Sequence, residues 1–263
     1  MNDPFEAHEI EHLSPASINA FVTNKPMWIM RYLFKYRDGG GPAMWRGTAV
    51  DHAVGSLYSA DNKAASITDA MALAEQEFDN QKEICNNHYP DTIIDQVKLE
   101  KEQANLDLFA KEALSFYTRL GAPTEYQKTV YLDLESIPVP IKGIVDLQYG
   151  SIVRDIKTTM RLPSKVPATH ARQLAIYAAA TQSDHAYADY VVVTSRTRDV
   201  VSRPIENIKD RLSEAESIAL AITRLLSVSN DKHEIAGLCF PDFESWMWGD
   251  TEKEFAKTIW RIK

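Results

Sequence analysis

The sequence predicts an α/β fold: a central mixed sheet of about five strands flanked by helices, with an N-terminal helical region packed against it. Three observations carry this expectation. As far as Gly121-Ala122-Pro123 the apolar residues recur at helical spacing. From Tyr126 onward the period drops toward two. Beyond that point a helical stretch, from about Pro167 to Gln182, separates paired strands from two further β runs.

Taken in order, residues 1–12 are polar and expected to be loosely held. Ser14-Pro15 opens a helix, with Ser14 as N-cap and Pro15 at the first helical position. Ile18, Phe21 and Val22 give that helix its apolar face, Lys25-Pro26 interrupts it, and a second amphipathic stretch carries Trp28, Ile29, Tyr32 and Leu33. Gly39-Gly40-Gly41-Pro42 is a clear break. The helix expected over Ala43–Ala60 turns Ala49, Ala53, Val54 and Leu57 inward, with His52 on the same turn as that face. Long charged helices are predicted at Ile67–Asn86 and Ile93–Leu120.

In the second half, Val130, Leu132 and Leu134 share one face of a strand. The organising stretch is Ile141 to Lys157, two short strands joined by a tight Gly150-Ser151 turn. Asp146, Asp155 and Lys157 interrupt this otherwise apolar pair. Buried unpaired charge is costly, so such groups need partners or a metal. Carboxylates on adjacent strands can meet and form a hard oxygen site of the kind Mg²⁺ prefers. Lys157 follows Asp155 by two residues and points to the same face. A surface salt bridge at a hairpin end explains these three residues equally well. β runs at Ala188–Ser195 and Val200–Ile205, a helix from Glu206 to Val228 and an aromatic tail with Trp246, Trp248 and Trp260 complete the chain.

Composition narrows the function classes. An apolar content of 44% suits a packed globular core. No apolar run approaches the roughly 20 residues a membrane helix needs. The acidic start lacks the pattern of a signal peptide, and Cys85 and Cys239 alone fit a reducing cytoplasm better than a disulfide framework. Two cysteines cannot supply four ligands to zinc or an iron–sulfur cluster. The net charge of −8 argues against simple basic-patch DNA binding, yet Arg154–Arg211 holds ten Lys/Arg against six Asp/Glu, a locally basic half compatible with a polyanion.

Four features fall in one order: Gly47-Thr48-Ala49-Val50-Asp51-His52, Gly143-Ile144-Val145-Asp146, Asp155-Ile156-Lys157 and Gln173-Leu174-Ala175-Ile176-Tyr177. Together they resemble the PD-(D/E)xK nuclease superfamily, and within it the RecB-like exonuclease branch, over about residues 13 to 205. Leu13-Ser14-Pro15-Ala16-Ser17 also looks like that branch's first helix.

The resemblance implies a restriction-endonuclease-like core and a metal-dependent DNA exonuclease acting in recombination, repair or replication. It implies His52, Asp146, Asp155 and the Ile156 carbonyl as metal ligands, with Asp146, Asp155 and Lys157 catalytic. Gln173, Tyr177, Arg161 and Arg172 would bind DNA, and Glu125 is a further candidate. The cofactor implied is Mg²⁺, with Mn²⁺ able to substitute. No iron–sulfur cluster is expected, because Lys25 stands before Pro26 where some relatives have a cysteine. DNA is the expected partner, with a single-strand annealing or other recombination protein beside it, no membrane, and room for an oligomer. The expected organisation is a flexible 1–12 and a single nuclease domain over 13–263. Within it 13–122 is helical, 123–230 catalytic and 231–263 a cap. The rival readings are a catalytically silent DNA-binding or regulatory module of the same fold, a structure-directed endonuclease, and a structural ion pair in an unrelated α/β enzyme.

Overall fold

A computed structural model describes residues 3–59, 63–245 and 247–262. Ala60, at the end of the predicted third helix, and Trp246 of the aromatic tail lie outside them. The chain divides into two compact units, Met1–Arg37 with Tyr131–Gly143 and Lys209–Lys263, and Asp38–Val130 with Ile144–Ile208. This partition interleaves the sequence.

In the first unit, α1 (Pro15–Thr23) starts where the sequence placed it. Ser14 caps it, and the Ser14 and Ser17 side chains and backbones bond reciprocally. Asn24 then caps α2 (Lys25–Tyr32), with Pro26 in its first turn. The segment before α1, expected to be loose, is packed: Phe5 and Ile10 are buried, and His8 Nε2 donates to the Ser229 carbonyl at 2.9 Å. Its two large apolar side chains explain this, because they anchor an otherwise polar stretch. The unit also holds most of α7 (Ile208–Leu226), α8 (Lys232–Ala236) and α9 (Asp250–Trp260). The Trp260 indole N–H donates to the Ala236 and Cys239 carbonyls.

The second unit carries α3 (Pro42–Ser56), α4 (Ile67–His88), α5 (Gln96–Leu120), β3 (Ile152–Thr159), α6 (Ala168–Ala180), β4 (His185–Val193) and β5 (Arg198–Pro204). The division falls within β1 (Glu125–Leu132) and β2 (Ile141–Tyr149). The mixed sheet is five-stranded in the order β1-β2-β3-β4-β5. β3 pairs antiparallel to β2 and parallel to β4, and β5 runs antiparallel to β4. The parallel step requires a crossover, which α6 supplies. Central β4 is buried on both faces from Ala188 to Val193, as a covered strand must be. Leu147, Ile156, Val191 and Val193 point to one face, into a core shared with Trp45, Ala49, Val50, Phe78, Phe109 and Leu114 of α3, α4 and α5. Alternation then sends Asp155 and Lys157 to the opposite face, where α6 packs. No helix among the described residues is long and apolar enough to cross a membrane.

Candidate active site

The site forms where β2 and β3 part. Paired residues run Tyr149–Ile152, Gln148–Val153 and Leu147–Arg154. At the next step Asp146 substitutes its side chain for backbone: its Oδ2 accepts from the Ile156 N–H at 2.8 Å. The short turn that makes this register possible rests on Gly150, at φ 58°, where a Cβ would be unfavourable.

Asp155 is 1% exposed, and its two oxygens are held separately. Oδ2 lies 2.6 Å from the Lys157 ammonium, and Oδ1 accepts from Gln173 Nε2 at 3.0 Å. Gln173 reads both residues, because its Oε1 accepts from Lys157 Nζ at 3.2 Å. The same Nε2 also donates to the Tyr177 hydroxyl at 3.0 Å, one turn along α6. The expected convergence of Asp146, Asp155, Lys157, Gln173 and Tyr177 is therefore present as one connected hydrogen-bonded and electrostatic group.

A residue the sequence reading passed over joins them. Asp51, on α3, accepts from the Gln127 amide through Oδ2, while its Oδ1 is buried with no hydrogen-bond partner. Burial first, and then the Asp155 charge, push the Asp51 carboxyl up to about 7, with Lys157 opposing. Asp146 is likewise raised, by burial and by the charges of Asp51 and Asp155. Burial alone would lower Lys157, but the Asp155 and Asp146 carboxylates outweigh it and the ammonium stands raised. Gln127, within β1, stands at φ 46°, a conformation that a non-glycine residue adopts at a cost of about 1–3 kcal/mol. The sequence did hold a cue for Asp51. Gly47, Asp51 and Gly55 are spaced by four, so two glycines flank a carboxylate on one helical face.

The other expected residues are placed as follows. His52 is half-buried on α3, with a buried Nδ1 that has no hydrogen-bond partner. Arg161 is exposed, just past the end of β3, with its backbone N–H on the Thr159 hydroxyl. Arg172 is only 4% exposed on α6. Tyr177 is 5% exposed, and burial and the Asp155 charge push its hydroxyl up to about 12. In this arrangement Gln173 holds Asp155, and the Tyr177 hydroxyl in turn accepts from Gln173. Glu125 is exposed and paired with Lys128 at 3.1 Å.

A buried Asp155 beside half-buried Asp51 and Asp146, with an orphaned oxygen on Asp51 and one ammonium at the edge, fits a hard divalent cation. The carboxylates are presently occupied by the Ile156 N–H, Lys157 and the two glutamine amides. Among the described residues no three His, Cys, Asp or Glu side chains already share a ligating geometry.

The sequence model of the PD-(D/E)XK nuclease superfamily matches residues 12–245. The chain belongs to the PD-(D/E)XK nuclease superfamily. Membership makes it a nuclease of a family that uses divalent metal ions, and the mixed sheet flanked by helices matches that family's fold. A solved structure from Eubacterium rectale, described as a candidate exonuclease, is similar at 12% identity and TM-score 0.53 over 97% of this chain and 92% of that one. At that identity the likeness concerns the fold. The structure of the protein SSO0001 is similar at 16% identity over 52% of this chain and 68% of its own, with a TM-score of 0.33, too low to bear on the fold. No curated protein matches.

Proposed function

We propose that this PD-(D/E)XK nuclease is a Mg²⁺-dependent DNA exonuclease of the RecB-like kind, working in DNA recombination, repair or replication. The observation that carries the reading is the clamp on Asp155: a nearly inaccessible carboxylate held by Lys157 on one oxygen and Gln173 on the other. Burying such a set without use would be a needless cost to stability.

Asp146, Asp155 and the Ile156 carbonyl would hold the ion. When bound, it supplies Lewis-acid activation of water and offsets the charge that grows on the phosphate and the leaving oxygen. The protein's own groups do the rest. The Lys157 ammonium uses one N–H toward Asp155 and one toward Gln173, which leaves a third for a phosphate oxygen or the attacking water. Gln173 fixes both partners at once, and the Tyr177 hydroxyl fixes Gln173. Exposed Arg161 and Lys165, on the loop that leaves β3, suit phosphate contacts, which position a strand without reading its bases. Nothing in this basic segment is a base-reading element, and the description of the Eubacterium rectale protein favours action from an end.

The test is a time course on end-labelled linear duplex beside its closed circular form, with and without Mg²⁺, using Asp155→Asn as the blank. The expected result is progressive, Mg²⁺-dependent loss of the linear DNA from its ends, with little action on the circle. Discrete fragments from the circle at the linear rate would replace the exonuclease reading with an endonuclease. Turnover by Asp155→Asn would remove the site assignment.

A further inference from the structure

We propose that α3 gives the metal site Asp51, not the neighbouring His52, so that the ion is held by carboxylates from three elements without an imidazole. This deepens the nuclease reading above and rests on it.

The two residues are rivals, since each has a buried polar atom without a hydrogen-bond partner, Asp51 Oδ1 and His52 Nδ1. The face of α3 separates them. A Cβ built on Gly47 would lie 3.6 Å from the Thr158 hydroxyl of β3, and one built on Gly55 would lie 1.7 Å from the Tyr126 hydroxyl of β1. The ridge Gly47–Asp51–Gly55 is therefore the one that meets the strands bearing the site. At Gly47 a Cβ would sit in ordinary contact, but at Gly55 it would overlap Tyr126, so the missing side chain one turn after Asp51 lets the helix come close enough for a short carboxylate to arrive. His52 is rotated from that ridge by about 100°.

The surroundings of Asp51 are built. Gln127 Nε2 donates to its Oδ2, and the Tyr126 hydroxyl donates to its backbone carbonyl at 3.4 Å. Holding one oxygen of a carboxylate fixes where the other points, which is what a partner behind a metal ligand does. The remaining Oδ1 is cut off from water and from donors alike, a state that costs free energy until a cation meets it.

An all-oxygen ligand set has a consequence for the ion. Imidazole biases a site toward transition metals, whereas carboxylates and carbonyls suit Mg²⁺ and Mn²⁺. Replacing Asp51 by histidine should therefore tilt the site away from Mg²⁺.

The experiment is calorimetric titration of the intact chain with Mn²⁺ and with Mg²⁺, without DNA, for wild type, Asp51→Asn, His52→Gln, Asp51→His and Asp155→Asn, with the melting of each chain followed in parallel. Asp51→Asn should weaken Mn²⁺ binding by about tenfold or more, because a charged ligand becomes neutral. His52→Gln should stay within about twofold of wild type, since it leaves the carboxylates untouched. The metal-free melting temperature of Asp51→Asn should equal or exceed that of wild type, and its rise on adding Mn²⁺ should shrink. Asp51→His should bind Mn²⁺ relative to Mg²⁺ better than wild type does. A tenfold loss in His52→Gln overturns the assignment, and it does so whether or not Asp51→Asn folds. Mn²⁺ lost in Asp155→Asn but kept in Asp51→Asn overturns this assignment alone. A wild-type chain that binds neither ion overturns it together with the metal-site reading.

Discussion

His170 shows how the site tunes a side chain that does not belong to its carboxylates. It lies on α6 one turn before Gln173, and its Nδ1 is 2.9 Å from the Tyr190 hydroxyl of β4. Burial lowers its pKa below the ordinary 6.5, the Lys157 charge lowers it further, and the Asp155 carboxylate opposes both. The folded chain thus releases the imidazole proton more readily than the unfolded chain does. As pH falls through about 6.5 the unfolded chain takes up a proton that the folded one refuses, so stability is full above that pH and is lost below it. Wild type should lose more midpoint urea concentration between about pH 7.5 and about pH 5.5 than His170→Gln does. Equal losses would show that His170 does not titrate in folding. At this scale the sequence was readable where the cue was local. Asp155 and Lys157 announce themselves by sitting two apart in an apolar strand, and Gln173 and Tyr177 by sitting four apart on a helix. Asp51 and Gln127 meet only through the fold, so neither gives a local cue to the other. The burial of Arg172 was hidden for the same reason: a helix shows which residues share a face, but the sheet decides which face is covered.

At the scale of elements, the position of α3 is set by what it lacks. Gly55 lies in its last turn, against the Tyr126 ring. Glycine in a helix costs about 1 kcal/mol against alanine, so an unconstrained Gly55→Ala should stabilise the chain. Here the added methyl would overlap the ring, and forced displacement in a packed region costs about 1–3 kcal/mol. Gly55→Ala should therefore lower stability in urea titration, by up to about 2 kcal/mol net. Adding Tyr126→Ala should return part of that loss, whereas plain additivity would mean the two positions do not touch. The buried Arg46–Glu102 pair fixes the start of the same helix, with Arg46 Nη2 donating to the Thr158 carbonyl and hydroxyl at 3.2 Å each. The start of α1 was legible because its cap is a sequence feature, Ser14 ahead of Pro15, whereas the Asn24 cap of α2 went unread behind the break that Lys25-Pro26 suggests. Strand limits were less so. β4 begins at His185 instead of Ala188, because its first residues owe their strand to parallel pairing with Ile152–Arg154 of β3. Such pairing leaves no mark on the residues between His185 and Ala188.

Over the whole chain the charge is −8, so attraction to DNA has to come from a few placed cations, not from the bulk field. Sequence counting found ten Lys/Arg between Arg154 and Arg211, but the second unit keeps several of them for itself. Arg154 is spent on Asp189 at 2.9 Å, Lys157 on Asp155 at 2.6 Å, and Arg172 is buried. Arg161, Lys165, Arg196 and Arg198 are exposed, and Arg203 is half-exposed while donating to the Ser164 carbonyl. On duplex DNA each neutralised phosphate adds about −0.9 to the slope of log affinity against log salt. If those five side chains carry the contacts, the slope for the non-cleaving Asp155→Asn chain should be no steeper than about −4.5. The two arginines that sequence alone treated alike should now behave differently. Arg161→Gln should weaken binding evenly across DNA sequences and make the slope shallower by about 1. Arg172→Gln should leave the slope unchanged and show its effect in thermal melting instead, because a buried guanidinium acts on the fold and not on the phosphate. Fluorescence anisotropy on one labelled duplex at several salt concentrations measures both. A slope that shifts with Arg172→Gln and not with Arg161→Gln would place the DNA on the opposite side of α6 from the loop that follows β3.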